Sequence, residues 1–239
     1  MTFAFEREAV LTQVYHEVEE RFLSQGRADL AHGWDHIERV YRLALGIGQR
    51  EGADRFVVGM AALLHDLGRV APAGEGPEQG QGQASAVQGR HHADLSHELA
   101  AELLTAYRVP EAEREAILHA VLAHSFSRGV EPRTLEARVV RDADRLDALG
   151  AIGIMRWAIT GALRATVETR PYHPVDPFAR SHAPDDRRYL LDHFYTKLLR
   201  LGESMSTATG RALAQERLAF MQRYLDEFRR ELTLEGLPG

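Results

Sequence analysis

Apolar residues recur at three- and four-residue spacing along most of the chain, the pattern of helices that bury one face. Phe5 to about Leu23 predicts one helix and Trp34 to about Arg50 a second, with Ile37, Val40, Tyr41, Ala44 and Ile47 on one stripe. Gly52 closes the second helix, and Asp54 is placed to cap a third that runs to about His65. Gly68 lies just beyond, where a glycine helps a chain leave a helix. Helical spacing then covers Asp94–Tyr107, Glu111–Phe126, Thr134–Leu149, Ile152–Leu163, Arg188–Leu201 and Thr207–Leu232. Pro110 suits a first helical turn, and Pro132 stands just ahead of the next helix.

Two stretches break the pattern. Ala71 to Gly89, "APAGEGPEQGQGQASAVQG", is rich in Gly, Gln and Pro and predicts a mobile surface loop, either a lid over a site beside His65 or a passive insertion. Glu168–Asp186 carries Pro171, Pro174, Pro177 and Pro184 and is expected to be irregular. Strand signals are scarce, and neither an internal repeat nor a linker is evident. The expectation is a single all-α domain over residues 1–239, with a core at about 30–150 and C-terminal helices at about 151–232 completing the site.

Composition narrows the function classes. A net charge of −6 gives no electrostatic reason to bind duplex nucleic acid or an anionic membrane, so any phosphate must be attracted locally. The absence of cysteine excludes disulfides, thiolate metal sites and a Cys nucleophile. "MTFAFEREAVL" lacks the basic and apolar regions of a signal peptide, and no window offers about 18 uncharged apolar residues for a membrane span. A cytoplasmic protein without a membrane partner is expected.

Against this background, "GMAALLHDLG" (Gly59–Gly68) stands out: a helix built for burial ends in His65 followed by Asp66. His36 shares the apolar stripe of its helix with Val40 and Leu43, and Asp144 lies on the side of Val140 and Ala148 in "VVRDADRLDALG". Singly, each has an ordinary explanation: a satisfied core histidine, a helix end, an Arg pair. Together, two imidazoles and two carboxylates in one core are costly unless compensated. A divalent cation neutralises the carboxylates and accepts both neutral rings.

The order His36, His65-Asp66, Asp144 resembles the H…HD…D signature of the HD-domain metal-dependent phosphohydrolases. "GWDHIERVYRLA", "AALLHDLG", "AHSFSRGVEPRTLEARVVRDADRLDALGAIGIMR", "HFYTKLLRL" and "RLAFMQRYLDEF" are similar, in order, to a bacterial branch that includes a deoxynucleoside triphosphate pyrophosphohydrolase. The similarity spans about residues 30–230. Gly33 stands where that branch often has Asp, and the loop after Asp66 is long. Arg69 stands where some deoxynucleotidases of the superfamily place a catalytic Glu, which speaks against a 5′-nucleotidase-type mechanism.

The resemblance implies an HD-domain helical bundle with metal ligands His36, His65, Asp66 and Asp144. Such a nitrogen and oxygen set suits Mn²⁺, Fe²⁺, Co²⁺, Ni²⁺ or Zn²⁺ better than Mg²⁺, and Mn²⁺ is the expected ion. It further implies hydrolysis of a nucleoside or deoxynucleoside triphosphate to the monophosphate and pyrophosphate by metal-activated water. A phosphodiesterase or phosphomonoesterase acting on a cyclic or alarmone-type nucleotide is the alternative, and a non-catalytic metal or nucleotide sensor another. Asp66, His124 and Asp147 are candidates for the chemistry, Asp147 alternatively pairing with an Arg. Arg39, Arg145, His193 and Lys197 are candidates for substrate binding, His193 and Lys197 facing one way on their helix. Binuclear members use additional histidines, so His91, His92, His97 and His124 leave a second metal open. The long amphipathic terminal helices are compatible with a homodimer.

Overall fold

The computed structural model describes residues 2–24, 30–70, 91–125 and 127–233, and of residues 2–5 only the backbone. The expected loop at 71–89 and the helix end at Phe126 lie outside the described residues. Among the described residues the chain is all-α, with one isolated parallel bridge between Arg170 and Tyr189. Two compact units divide it, Met1–Asp144 and Arg145–Gly239, and the division falls inside a helix.

The first unit is built around a helix that is apolar on every side. α1 (Thr2–Leu23) and α2 (Trp34–Glu51) precede α3 (Arg55–Leu64), in which every residue from Phe56 to Leu64 is buried. A helix without a polar face must be enclosed, and α1, α2 and α5 (Glu111–Ala123) pack against it. Gly52, at φ 78°, ends α2 in the left-handed conformation that glycine adopts at no steric cost. Two residues on, the Asp54 carboxylate caps α3 by accepting from the amides of Phe56 at 2.9 Å and Val57 at 3.1 Å. α3 then stops, and His65 is its C-cap.

A single 3₁₀ turn, Leu67–Val70, follows directly. Gly68 is needed there for closeness rather than for a left-handed turn. A Cβ on it would stand 2.6 Å from the His92 carbonyl oxygen and 2.7 Å from the Ser96 nitrogen of α4 (His92–Ala106), and its own amide donates to Ser96 Oγ at 2.9 Å. α4 begins two residues ahead of the expected Asp94 because the His91 ring caps it, Nδ1 accepting from the Ala93 amide at 3.1 Å. Thr134 Oγ1 accepts from the Ala137 amide and starts α6 (Leu135–Asp147).

In the second unit α7 (Gly150–Arg164) packs on α9 (Ala208–Thr233). Between them the proline-rich segment forms turns, organised by Asp176, whose carboxylate accepts from the amides of Arg180, Ser181 and His182. The helix expected at Arg188–Leu201 is corrected to three short pieces. A 3₁₀ turn at Leu190–Asp192 leads into α8 (His193–Thr196), and Lys197, at φ −137° and ψ −62°, breaks the chain before a 3₁₀ stretch at Leu198–Ser204. His193 and Lys197 therefore do not share a continuous helix face. No single helix among the described residues is long and apolar enough to cross a membrane.

Candidate metal centre

His36 from the first turn of α2, His65 at the end of α3 and Asp144 near the end of α6 converge inside the first unit. The Nε2 atoms of His36 and His65 are 3.3 Å apart. Asp144 Oδ1 is 3.5 Å from the first and 4.0 Å from the second. Asp66 Oδ2 is 4.0 Å from both rings. Two atoms that share one ion at about 2.0–2.2 Å are separated by no more than about 4.4 Å; His36, His65 and Asp144 meet this together, and Asp66 Oδ2 meets it with each of the two rings.

The ring of His65 is set for ligation. It is fully buried, and Nδ1–H donates to the Ala62 carbonyl at 2.8 Å, which leaves the Nε2 lone pair facing the cluster. Burial is the main influence on its pKa and lowers it, favouring the neutral ring. Asp144 is pushed up by burial, but the His65 and His36 rings outweigh this and its carboxyl lies below the usual range.

Asp66 joins this cluster to a second one. Its Oδ1 lies 3.7 Å from Nε2 of both His92 and His124, and these three form a further metal-compatible triad. At 3.7 Å neither contact is a hydrogen bond, and Oδ1 is a buried carboxylate oxygen with no hydrogen-bond partner. Such an oxygen is costly in an apolar interior and is satisfied by a cation. Burial raises the Asp66 carboxyl, yet Arg69, whose Nε donates to Oδ2 at 2.5 Å, and then the surrounding histidines hold it well below the ordinary value. Burial brings His92 down to about 3, so it is a neutral ring at neutral pH. His124 is also penalised by burial, but Asp66 overcomes this and raises it; its Nδ1–H donates to the Val121 carbonyl and turns Nε2 toward Asp66.

Of the other residues expected from sequence, Arg39 sits half-buried on α2, one turn beyond His36. Arg145, Asp147, His193 and Lys197 belong to the second unit. Arg145 donates to the Ser204 carbonyl at 2.8 Å. Asp147 accepts from Arg156 at 2.9 Å, the Arg-paired alternative for that residue. The His193 ring donates from Nδ1 to Asp186 at 2.6 Å, and Lys197 is exposed at the break after α8. Sequence reasoning gave no place to Arg69 at the centre and left His92 undecided. A basic residue three positions after Asp66 and a histidine at a helix start were the available signals.

Residues 33–149, which contain all six side chains of the two triads, match the model of the HD domain family. The chain is 32% identical over 206 residues to protein YpgQ of Bacillus subtilis (strain 168), covering 84% of each. A crystal structure of that protein in complex with ADP superposes with a TM-score of 0.69 at 29% identity, over 98% of both chains. An HD-superfamily hydrolase from Bacillus thuringiensis gives a TM-score of 0.69 at 27% identity, over 95% of this chain and 98% of the other.

Proposed function

The chain belongs to the HD-domain family, and from that premise we propose that it is a metal-dependent phosphohydrolase of nucleotides that splits a nucleoside or deoxynucleoside triphosphate into monophosphate and pyrophosphate. The observation that carries the reading is the buried Asp66 carboxylate, whose unpartnered Oδ1 and Arg-held Oδ2 stand between four imidazole nitrogens. His36, His65 and Asp144 form a metal-compatible triad and Asp66 Oδ2 lies 4.0 Å from both rings, which supports our reading that these four hold a divalent ion; Mn²⁺ is the ion we assign. When bound, such an ion supplies Lewis acidity, lowering the pKa of water and neutralising phosphoryl charge.

The protein's own groups supply the remainder. Hydrogen bonds from His65 to Ala62 and from His124 to Val121 fix both rings before any ligand arrives. With Nδ1–H bonded to Val121, His124 presents Nε2 to Asp66 Oδ1, either as a lone pair for a second cation or, where that position is not used, as a proton donor to the substrate. Asp66, His92 and His124 together offer a second cation position. Arg39 supplies positive charge one turn from His36. The ADP held by YpgQ supports a nucleotide as substrate.

The test is product analysis by anion exchange, with purified protein loaded in turn with Mn²⁺, Co²⁺, Ni²⁺, Zn²⁺ and Mg²⁺ and given ribo- and deoxynucleoside triphosphates. Monophosphate plus pyrophosphate, lost in Asp144→Ala, is the expected result. Nucleoside plus triphosphate moves the attack to the ester side of the α-phosphate. No turnover with any metal refutes the triphosphatase reading and points to cyclic nucleotides, to phosphomonoesters or to a sensor.

A further inference from the structure

Arg69 lies outside the four-residue signature, yet its guanidinium rests on the centre. Nε–H donates to Asp66 Oδ2 at 2.5 Å, and that oxygen is the one 4.0 Å from both His36 and His65. One edge of the guanidinium is thereby fixed. Among the described residues, the two terminal nitrogens of the fork meet no partner. The Arg69 side chain is 21% exposed while that of Asp66 is 4% exposed, so the arginine keeps access to solvent that the carboxylate has lost.

The backbone beneath it is rigidly placed. The Arg69 amide donates to the Asp66 carbonyl at 2.9 Å, and Leu67 and Gly68 are buried. Gly68 sits so close to the start of α4 that no side chain fits between them. An arginine presented from such a turn, with Nε tethered, keeps its fork in one orientation.

Charge explains what that orientation is for. Without a cation, Arg69 offsets the negative charge of Asp66. Once a divalent ion balances Asp66 and Asp144, the guanidinium becomes surplus positive charge beside the centre. Two parallel N–H donors at a fixed spacing match two oxygens of one phosphoryl group.

We propose that Arg69 is the phosphate clamp of this centre: tethered through Nε to Asp66, it offers its two terminal nitrogens to the non-bridging oxygens of the substrate's phosphoryl group. The proposal rests on the phosphohydrolase reading and adds to it a substrate-binding residue. It differs from a purely structural role, in which Arg69 does no more than neutralise Asp66.

The test is calorimetric titration of full-length wild type, Arg69→Gln and Arg69→Lys with pyrophosphate and with inorganic phosphate. Each protein is held at a Mn²⁺ concentration shown by separate titration to saturate it, and circular dichroism checks the fold. Pyrophosphate binding is expected to weaken about 10- to 100-fold in Arg69→Gln. Arg69→Lys, which keeps the charge and loses the fork, is expected to fall between it and wild type, and answers alone if the Gln variant does not fold. Unchanged pyrophosphate affinity at saturating Mn²⁺ overturns the clamp, as does a wild type that binds neither anion. A wild type that hydrolyses nucleotides while Arg69→Gln binds normally refutes the clamp and leaves the proposed function standing. A wild type without nucleotide turnover whose pyrophosphate binding depends on Arg69 refutes the proposed function and leaves the clamp.

Discussion

The Nε2 atoms of His36 and His65 lie 3.3 Å apart, carried by different helices and both buried. Since His65 donates from Nδ1 to Ala62, its Nε2 is a lone pair aimed at the other ring. A cation shared between them, with Asp144 and Asp66 alongside, accounts for two helices bringing imidazole nitrogens together in an apolar core.

Removing either ring should therefore remove the ion. Changes to outer partners of metal ligands alone cost about 10- to 100-fold in affinity, so His36→Ala should cost more than about 100-fold. Metal-dependent turnover should vanish while far-UV circular dichroism stays helical. A variant that loses its helices along with the metal would instead mark the ion as structural.

Gly68→Ala should destabilise the first unit. The new Cβ would meet backbone atoms of His92 and Ser96 at 2.6 and 2.7 Å, and neither can rotate away as a flexible side chain would. Overpacking of this kind costs about 1–3 kcal/mol or more. Urea denaturation measures it, and a cost below about 0.5 kcal/mol would show that the turn relaxes easily.

Asp54→Ala removes the cap of the helix that ends in His65, a loss of about 1 kcal/mol. Burial raises the Asp54 carboxyl, but hydrogen bonds from Arg7 and the two helix amides outweigh it, and the pKa lies below the usual value. The folded pKa being depressed, this contribution is fully present above the ordinary carboxylate value of about 3.9 and is lost as pH falls through the folded one. The difference in urea midpoint between wild type and Asp54→Ala should accordingly shrink in acid.

In the second unit, His182 donates from Nδ1 to Asp176 at 3.0 Å and from Nε2 to Asp192 at 2.9 Å, with His173 stacked on it and Tyr189 against its edge. The bond to Asp176, then that to Asp192, raises its pKa. A raised folded pKa means stability that is fully present below the ordinary imidazole value of about 6.5 and lost as pH rises through the folded value. NMR titration of the His182 ring should give a midpoint above that of a free imidazole. Proteolysis of the 165–189 segment should quicken over the same range, and a midpoint at or below the free value would contradict the account.

Much of this was legible in the chain. An α3 apolar from Phe56 to Leu64 could be nothing but enclosed, and His65-Asp66 at its end had to be explained by a partner inside the core. The caps at Gly52 and Asp54 follow from their chemistry. The break at Lys197 did not show, because apolar spacing reads alike for an α-helix and for a run of short 3₁₀ turns. Nor did the division after Asp144, which falls within a helix and leaves no linker composition. Gly68 was read as a helix exit when its cause is the proximity of α4, a contact that local sequence does not contain. Arg69 and His92 reach the centre through the same packing of a turn on a helix start.

The central claim is that His36, His65, Asp66 and Asp144 hold a divalent cation, and calorimetric titration of chelator-treated protein with Mn²⁺ tests it most directly. Saturable binding in the wild type, abolished in His36→Ala and in Asp144→Ala, each still helical, is the predicted result. Binding that persists in both variants, or a wild type that takes up none of Mn²⁺, Co²⁺, Ni²⁺, Zn²⁺ or Fe²⁺, would contradict it.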